Sequence, residues 1–246
     1  MSRYDFNAQR LFVEADLVQG ARITCSAEQA NYLRNVLRLG PGDAILLFNG
    51  RDGEWRAEVA ETGKRTTTLS ISALARPQEG GPDIDYLFAP LKRARLDYMV
   101  QKAAEMGVAR LRPVLTRRTV AERVNVERMR ANAVEAAEQC GILRVPEVQE
   151  PERLERVLAG WDPARRLVFC DEGSEEPDPI AALSRIPPGP VALLIGPEGG
   201  FDEAERELMA CKPFVTRISL GPRILRADTA AVAALALVNA VLGDWR

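Results

Sequence analysis

Apolar runs and helix-like segments alternate along the chain from residue 84 to residue 242. Two helical segments, Leu96 to Met106 and Val126 to Cys140, are each followed by a glycine that ends them. Between and after the helices, the strand-like runs are Ile84 to Phe88, Arg110 to Leu115, Leu167 to Cys170, Val191 to Ile195 and Phe214 to Leu220. Alternation of this kind predicts an α/β domain with a mainly parallel sheet.

The residues before position 75 have a different pattern, with short β-branched or alternating runs separated by turns rich in Gly, Asn and Asp. The runs are Arg10 to Val13, Ala44 to Phe48, Glu54 to Val59 and Thr66 to Ile71. They predict a small β-barrel. The segment from Arg76 to Pro82 is rich in turn formers, so we expect a linker there and two domains, residues 1–75 and 76–246.

One helical stretch, Ala27 to Leu39, interrupts the β-rich region. Its pattern predicts that Leu33, Val36 and Leu37 share one face. Arg34 and Arg38 fall on another face and are therefore expected to be free for a ligand.

The residue types restrict the chemistry. The chain has no histidine, and its four cysteines form no CxxC pair, so we expect no metal site and no hydrolase triad. The longest apolar stretch, Ala230 to Gly243, is too short to span a bilayer and predicts a buried helix. The first ten residues lack the apolar run of a signal peptide, which predicts a cytoplasmic protein without membrane contact.

Charge is unevenly distributed along the sequence. The whole chain has a net charge of -2, but residues 92–130 contain eleven Lys and Arg against four Asp and Glu. Such a segment suits a polyanionic partner, although the same arginines and lysines also suit ordinary solvated helix faces.

Two strand-to-helix junctions contain the residues best suited to a ligand. After Val191 to Ile195 comes the glycine-rich sequence Gly196 to Phe201, and Asp202 and Glu205 then have the spacing of a capping box. Glycines let backbone amides approach a small molecule at the carboxyl ends of parallel strands. The alternative is a plain glycine-rich turn, since the motif is neither a dinucleotide fingerprint nor a phosphate loop.

The second junction, Ile218 to Thr229, places Arg223, Arg226 and Asp228 before an apolar helix. Charges at the edge of a buried core need partners. Asp228 or Thr229 could simply cap the helix, and Arg226 could simply pair with a carboxylate.

Together the two junctions resemble the signature of the RsmE methyltransferases. The matching residues are Ile195-Gly196-Pro197-Glu198-Gly199-Gly200-Phe201 and Leu220-Gly221-Pro222-Arg223-Ile224-Leu225-Arg226-Ala227-Asp228-Thr229-Ala230. Supporting matches, in the same order along the chain, are Val36-Leu37-Arg38, Gln101 to Val108 and Glu135 to Gly141.

The resemblance implies an α/β fold of the SPOUT class, with a parallel sheet and a C-terminal trefoil knot, preceded by a PUA-like RNA-binding β-barrel. It implies a homodimer that uses S-adenosylmethionine to methylate N3 of one uridine in 16S ribosomal RNA, within the small ribosomal subunit and without a metal.

The same resemblance implies roles for individual residues. The cofactor would be held by Ile195, Gly196, Gly200, Leu220, Gly221, Ile224 and Leu225. Arg226 and Asp228 would be catalytic, with Arg226 stabilising negative charge on the uracil. Basic residues expected to contact RNA are Arg34, Arg38, Lys92, Arg93 and Arg95.

The sequence also departs from the family pattern. Asp228 stands where many relatives have Glu, so it is expected to orient Arg226 or cap the helix rather than to abstract a proton. Ile142 replaces an arginine that follows the Glu138 to Gly141 run. These departures keep open the alternative of an inactive RNA-binding factor of ribosome assembly. A SPOUT methyltransferase for another RNA is a second alternative.

Overall fold

The computed structural model describes residues 8–63, 65–121, 123–174 and 178–245. They form two compact units, one made of residues up to Gly80 together with Ala137–Val145, the other of Gly81–Ala136 and the residues from Pro146 onward. The first unit thus continues past the expected boundary at residue 75, and it includes a second, distant segment of the chain.

The first unit is built on a five-stranded sheet. Its strands are β1 (Arg10–Phe12), β2 (Arg22–Thr24), β3 (Ala44–Phe48), β4 (Glu54–Thr62) and β5 (Thr67–Arg76), in the order β1-β3-β4-β5-β2. Only β1 and β3 pair in parallel, and the other pairs are antiparallel. Alternate residues of β3, β4 and β5, such as Leu47, Val59 and Leu69, fill its core.

A buried ion-pair network attaches residues 137–145 to this sheet. Glu54 is almost fully buried and accepts hydrogen bonds from Arg10 at 2.7 Å and from Arg76 at 2.7 Å. The same arginines donate to the carbonyls of Ile142 and Gly141. Burial raises the pKa of Glu54, but the hydrogen bonds from Arg76 and Arg10 outweigh it and leave the pKa below its usual value.

The predicted helix Ala27 to Leu39 is wrong in its second half. Helix α1 spans only Ala27–Asn31, and a π-helical turn follows over Tyr32–Val36, in which the Leu37 N–H donates to the Tyr32 carbonyl at 3.0 Å. The wider turn rotates Val36 away from the face of Leu33, so Val36 is 61% exposed while Leu33 is buried.

The second unit contains a seven-stranded sheet in which every pair is parallel, as the alternation predicts. Its strands are β6 (Ile84–Phe88), β7 (Arg110–Leu115), β8 (Glu147–Val148), β9 (Glu152–Arg153), β10 (Arg166–Cys170), β11 (Val191–Ile195) and β12 (Val215–Ile218). The order is β12-β10-β11-β6-β7-β8, and β9 pairs with the end of β7. The helices are α2 (Arg93–Glu105), α4 (Leu154–Ala159), α5 (Pro179–Ser184), α6 (Glu203–Ala210), α7 (Ala227–Val241) and α3 (Val126–Cys140), whose residues from Ala137 belong to the first unit.

This strand order determines where a ligand site can form. Strands β12, β10 and β11 are neighbours, so the loops that follow them meet at the carboxyl edge of the sheet. The turn after β7 and the start of α2, which follows β6, lie at the same edge. Ligands of open parallel sheets bind at this edge. Among the described residues, no helix is long and apolar enough to cross a membrane.

Candidate functional site

A cavity of about 270 Å³ lies at the carboxyl ends of β10, β11 and β12. Three segments form its wall: residues 170–172, residues 195–201, and residues from the 219–230 stretch. All seven residues that the family resemblance assigned to the cofactor are in this wall, namely Ile195, Gly196, Gly200, Leu220, Gly221, Ile224 and Leu225. Two loops about twenty residues apart in sequence therefore share one cavity.

The loop after β11, residues 196–202, is folded tightly around one aromatic side chain. Phe201 is buried and packs edge-on against Phe169, with ring centroids 4.9 Å apart. A Cβ added at Gly196 would lie 2.5 Å from the Phe201 ring, so only glycine fits there. Gly200 has φ +67°, and its N–H donates to the Pro197 carbonyl at 2.9 Å. The glycines thus allow a compact turn that glycine-free sequences could not adopt.

A capping box fixes the end of this loop, as its spacing predicts. The Asp202 side chain accepts from the Ala204 N–H at 3.0 Å, and Glu205 Oε2 accepts from the Asp202 N–H at 3.0 Å. Glu205 is buried, and its second oxygen accepts from the Arg117 N–H at 2.8 Å. The start of α6 is therefore joined to the turn that follows β7.

Three arginine side chains also hold the loop. Arg95 of α2 pairs with Glu198 at 3.1 Å, and Arg117 pairs with Asp202 at 2.9 Å. Arg118 Nη1 donates to the Gly199 carbonyl at 2.9 Å. The sequence assigned Arg95 to RNA and gave no role to Arg117 or Arg118. Their contacts join residues about eighty to a hundred positions apart, which local periodicity cannot show.

The segment after β10 is held by a buried carboxylate that sequence reasoning also missed. Asp171 pairs with Arg206 of α6 at 2.9 Å and with Arg217 of β12 at 2.6 Å, and its side chain is fully buried. Its backbone N–H donates to the Ile218 carbonyl at 2.9 Å. Asp171 therefore connects three of the elements around the cavity.

The loop after β12, residues 219–226, has a much more open structure. Gly221 has φ +99°, and a Cβ added there would meet nothing within 4 Å. Ile224 is 95% exposed, although it lines the cavity. Arg223 and Arg226 are exposed as well. Within the described ranges, no carboxylate pairs with Arg226, which lies between the cavity residues Leu225 and Ala227.

Asp228 is not the N-cap of α7. The helix begins at Ala227 with Arg226 as N-cap, so Asp228 is its second residue, and its Oδ1 accepts from the Thr229 N–H at 2.9 Å. It forms no ion pair with Arg226 in the part of the chain that the structure describes. Asp228 also lies close enough to Tyr86 of β6 to affect it: burial raises the pKa of Tyr86, and Cys170 and then Asp228 contribute smaller increases. Asp228 is thus a first-turn acid that satisfies one backbone donor.

The residues predicted to contact RNA have different surroundings. Lys92 and Arg93 are exposed at the start of α2, whereas Arg95 is engaged with Glu198. In the first unit, Arg34 donates to the Gly63 carbonyl, and Arg38 is exposed with φ 58°. The expectation that both arginines are free is therefore wrong for Arg34.

Some arginines of the basic segment, residues 92–130, form ion pairs within the fold. Arg110 and Arg112 pair with Asp85, which is buried on β6, at 2.5 and 3.3 Å. These ion pairs lie toward the amino ends of the strands, away from the cavity edge. The basic residues at that edge are thus fewer than the sequence suggests.

Comparison with known proteins decides the family. Residues 79–239 match the model of an RNA methyltransferase domain, and residues 26–72 match that of an RNA methyltransferase PUA domain. A curated relative from Synechocystis, ribosomal RNA small subunit methyltransferase E, is 32% identical over 242 residues, which cover 96% of this chain and 78% of the relative. The chain belongs to the ribosomal RNA small subunit methyltransferase E family. Its second unit is the methyltransferase domain.

Further relatives agree with this family. The methyltransferase E of Rickettsia conorii is 29% identical, and the match covers 94% of this chain and 94% of that one. A solved methyltransferase of Legionella pneumophila, in complex with S-adenosylmethionine, is 29% identical, with a TM-score of 0.84 over 97% of this chain and 99% of that one. A methyltransferase E from Neisseria gonorrhoeae, 24% identical, shares the fold with a TM-score of 0.85 over 98% of this chain and all of that one.

Proposed function

We propose that this methyltransferase transfers a methyl group from S-adenosylmethionine to N3 of a uridine in 16S ribosomal RNA of the small subunit. The observation that carries the proposal is the cavity itself. The loops after β11 and β12 form much of its wall, and Arg226, which has no carboxylate partner among the described residues, comes directly after the cavity residue Leu225. A site for a small molecule and a free positive charge for a second reactant are thus adjacent.

The residues around the cavity fit the cofactor. Gly196, Gly200 and Gly221 bring bare backbone to the wall, so amide and carbonyl groups can reach a nucleoside. Leu220 and Leu225 add apolar surface suited to an adenine ring. When bound, S-adenosylmethionine supplies a methyl group already activated as a sulfonium. The task of the protein is therefore mainly orientation and electrostatics.

Arg226 has the charge that the reaction needs. Uracil N3 carries a proton and is a poor nucleophile until that proton passes to solvent water, after which negative charge spreads over O2 and O4. A guanidinium at the cavity rim stabilises this charge, and its donors are not occupied by a carboxylate among the described residues. Asp228 accepts a hydrogen bond from the Thr229 N–H, which suits a residue that stabilises the first turn of α7 better than it suits the base.

The proposal includes a homodimer in the cytoplasm, where ribosomal subunits are made. One face of α7 is buried through Ala231, Leu235 and Val238, while Val232 and Leu237 on the same helix remain partly exposed. A second subunit would cover this remaining apolar surface. The trefoil knot implied by the family resemblance also stays a prediction.

Nucleoside analysis of ribosomal RNA tests the proposed reaction. Mass spectrometry of 16S RNA from a strain lacking the gene should show the loss of one 3-methyluridine, which the intact gene restores and an Arg226→Ala gene does not. Purified protein should also bind S-adenosylmethionine. Unchanged 3-methyluridine with a different lost modification would indicate another RNA target, and absence of cofactor binding would indicate an inactive assembly factor.

A further inference from the structure

The turn after β7 places two arginines against the glycine-rich loop, residues 196–202, and the proposed reaction gives neither a role. The Thr116 N–H donates to Thr119 Oγ1 at 2.8 Å, and the Thr119 N–H donates to the Thr116 carbonyl at 3.2 Å. Arg117 and Arg118 lie between these threonines, and both are exposed. The closed turn thus fixes the backbone from which both guanidinium groups extend toward the loop.

Arg118 contacts the loop with only part of its side chain. Its Nη1 donates to the Gly199 carbonyl at 2.9 Å, and its aliphatic stem lies beside Gly199. A guanidinium has five N–H donors in a planar fork. Among the described residues, the structure shows no other hydrogen-bond partner for Arg118. The remaining donors can therefore bind a second acceptor while the bond to Gly199 is kept.

Other basic residues lie at the same carboxyl edge of the sheet as Arg118. We call Lys92, Arg93, Arg95, Arg117 and Arg118 the basic rim. Arg95 and Arg117 reach the same short loop through Glu198 and Asp202, and exposed ion pairs of this kind contribute little stability. A nucleotide that reaches Arg226 beside the cavity would bring its flanking phosphates to the same edge of the sheet, where the basic rim lies. Phosphate is thus the acceptor that the basic rim fits.

We infer that Arg118 is a bridging residue that binds a phosphate of the substrate RNA while it holds Gly199, so that RNA and cofactor strengthen each other's binding. Gly199 and its neighbours line the cofactor cavity. A guanidinium fixed by phosphate leaves less freedom in the loop, so the cofactor loses less conformational entropy when it binds. Linkage requires the same factor in both directions. The inference rests on the proposed function, because it presupposes both ligands.

The test measures two dissociation constants under matched conditions. The probes are S-adenosylhomocysteine, which carries no methyl group to transfer, and small ribosomal subunits from a strain lacking the gene. Each Kd is measured with and without a saturating amount of the other ligand, using the full-length protein. We expect each ligand to tighten the other by about fivefold or more, which is the lower range of typical coupling.

The decisive variant is Arg118→Met, which keeps the aliphatic stem and removes every donor. Its coupling factor should fall to about one, and the salt dependence of RNA binding should decrease by about one phosphate contact. The matched control is Arg93→Met. Arg93 belongs to the basic rim, but no bond joins it to the loop in the described part of the chain. The Arg93→Met variant should bind RNA more weakly than the wild type and keep the wild-type coupling factor.

Three results would overturn the inference: a wild-type coupling factor of one, an Arg118→Met factor equal to that of the wild type, or an equal loss of coupling in Arg93→Met. If Arg118→Met binds S-adenosylhomocysteine too weakly to measure, Arg118→Lys decides. Its charged donors should restore part of the coupling, and a factor of one would refute bridging. A wild-type protein that binds neither ligand would refute the proposed function, whereas independent binding of both refutes only the bridge.

Discussion

The two loops that share the cavity are held in very different ways. The loop after β11 is packed around the buried Phe201, ends in a capping box and is contacted by three arginines. The loop after β12 exposes Ile224 and leaves Arg226 without a carboxylate partner among the described residues. Contacts within the protein therefore hold most of the first loop, and the inferred phosphate contact of Arg118 would add one more. Within the described part of the chain, the second loop has few contacts with the rest of the protein, and we expect bound ligands to contact it.

The largest effect should come from breaking the packed loop. A valine at Gly196 would overlap the Phe201 ring and force it from its place beside Phe169. Overpacking of this kind costs about 1–3 kcal/mol. We therefore expect calorimetry to show no measurable binding of S-adenosylmethionine and a Tm lowered by about 2–4 °C for each kcal/mol lost.

Gly199→Ala is the matched control for this change. A Cβ at Gly199 would make only ordinary contact, 3.7 Å from the stem of Arg118. The variant should therefore keep both its Tm and its cofactor affinity. Unchanged cofactor affinity in Gly196→Val would contradict the assignment of this loop to the cofactor.

The open loop should matter most for turnover. Arg226→Ala should lower kcat by about a hundredfold while cofactor affinity stays nearly the same, because the charge acts on the transition state. Arg226→Lys should have a kcat between those of Arg226→Ala and the wild type, since lysine carries the charge but lacks the planar fork of arginine. Single-turnover kinetics with small ribosomal subunits measure the effect.

Arg223→Ala serves as the control for Arg226, because it removes another exposed charge from the same loop. If the position of the charge determines its effect on catalysis, kcat should fall far less in Arg223→Ala than in Arg226→Ala. Equal losses in both variants would show that general attraction for RNA, rather than stabilisation of the uracil, explains the role of Arg226.

The contrast between the loops also shows what the sequence can predict. Strand β11 and helix α3 have the predicted bounds because long apolar or amphipathic runs define them locally. The cavity residues are predictable too, since glycines after parallel strands point to one edge of the sheet. The arginines that hold the packed loop are not, because their partners are distant in sequence and only the strand order brings them together.

Short or irregular elements also could not be predicted from the sequence. Strand β2 has three residues and a single buried side chain, Ile23, so it leaves no periodic pattern. The π-helical turn after α1 changes the face of Val36 without any glycine or proline to mark it. In each case tertiary contacts, and not the local sequence, determine the backbone.

A smaller effect is expected at Gly221, where the open loop needs an unusual backbone angle. Gly221→Ala adds a side chain that meets nothing within 4 Å, but at φ +99° it is strained by about 1–2 kcal/mol. Cofactor affinity should fall by about tenfold. Gly20→Ala is the control, with φ +82°, open space and no place in the cavity wall. It should lower Tm without changing cofactor affinity, and an unaffected Gly221→Ala would argue against a role for this backbone in binding.

The smallest effect should come from Asp228, which belongs to the fixed helix that follows the open loop. Asp228→Asn keeps an oxygen that can accept from the Thr229 N–H and removes only the charge, which near a helix N-terminus contributes about 0.3–1 kcal/mol. We therefore expect kcat to change less than about threefold, whereas Asp228→Ala should lower Tm slightly more than Asp228→Asn because it also removes the acceptor. A general base behaves differently: its amide variant loses most of its activity, and the dependence of kcat on the ionisation of that group disappears. Measuring kcat against pH for the wild type and for Asp228→Asn separates the two roles, and a loss comparable to that of Arg226→Ala would make Asp228 the base.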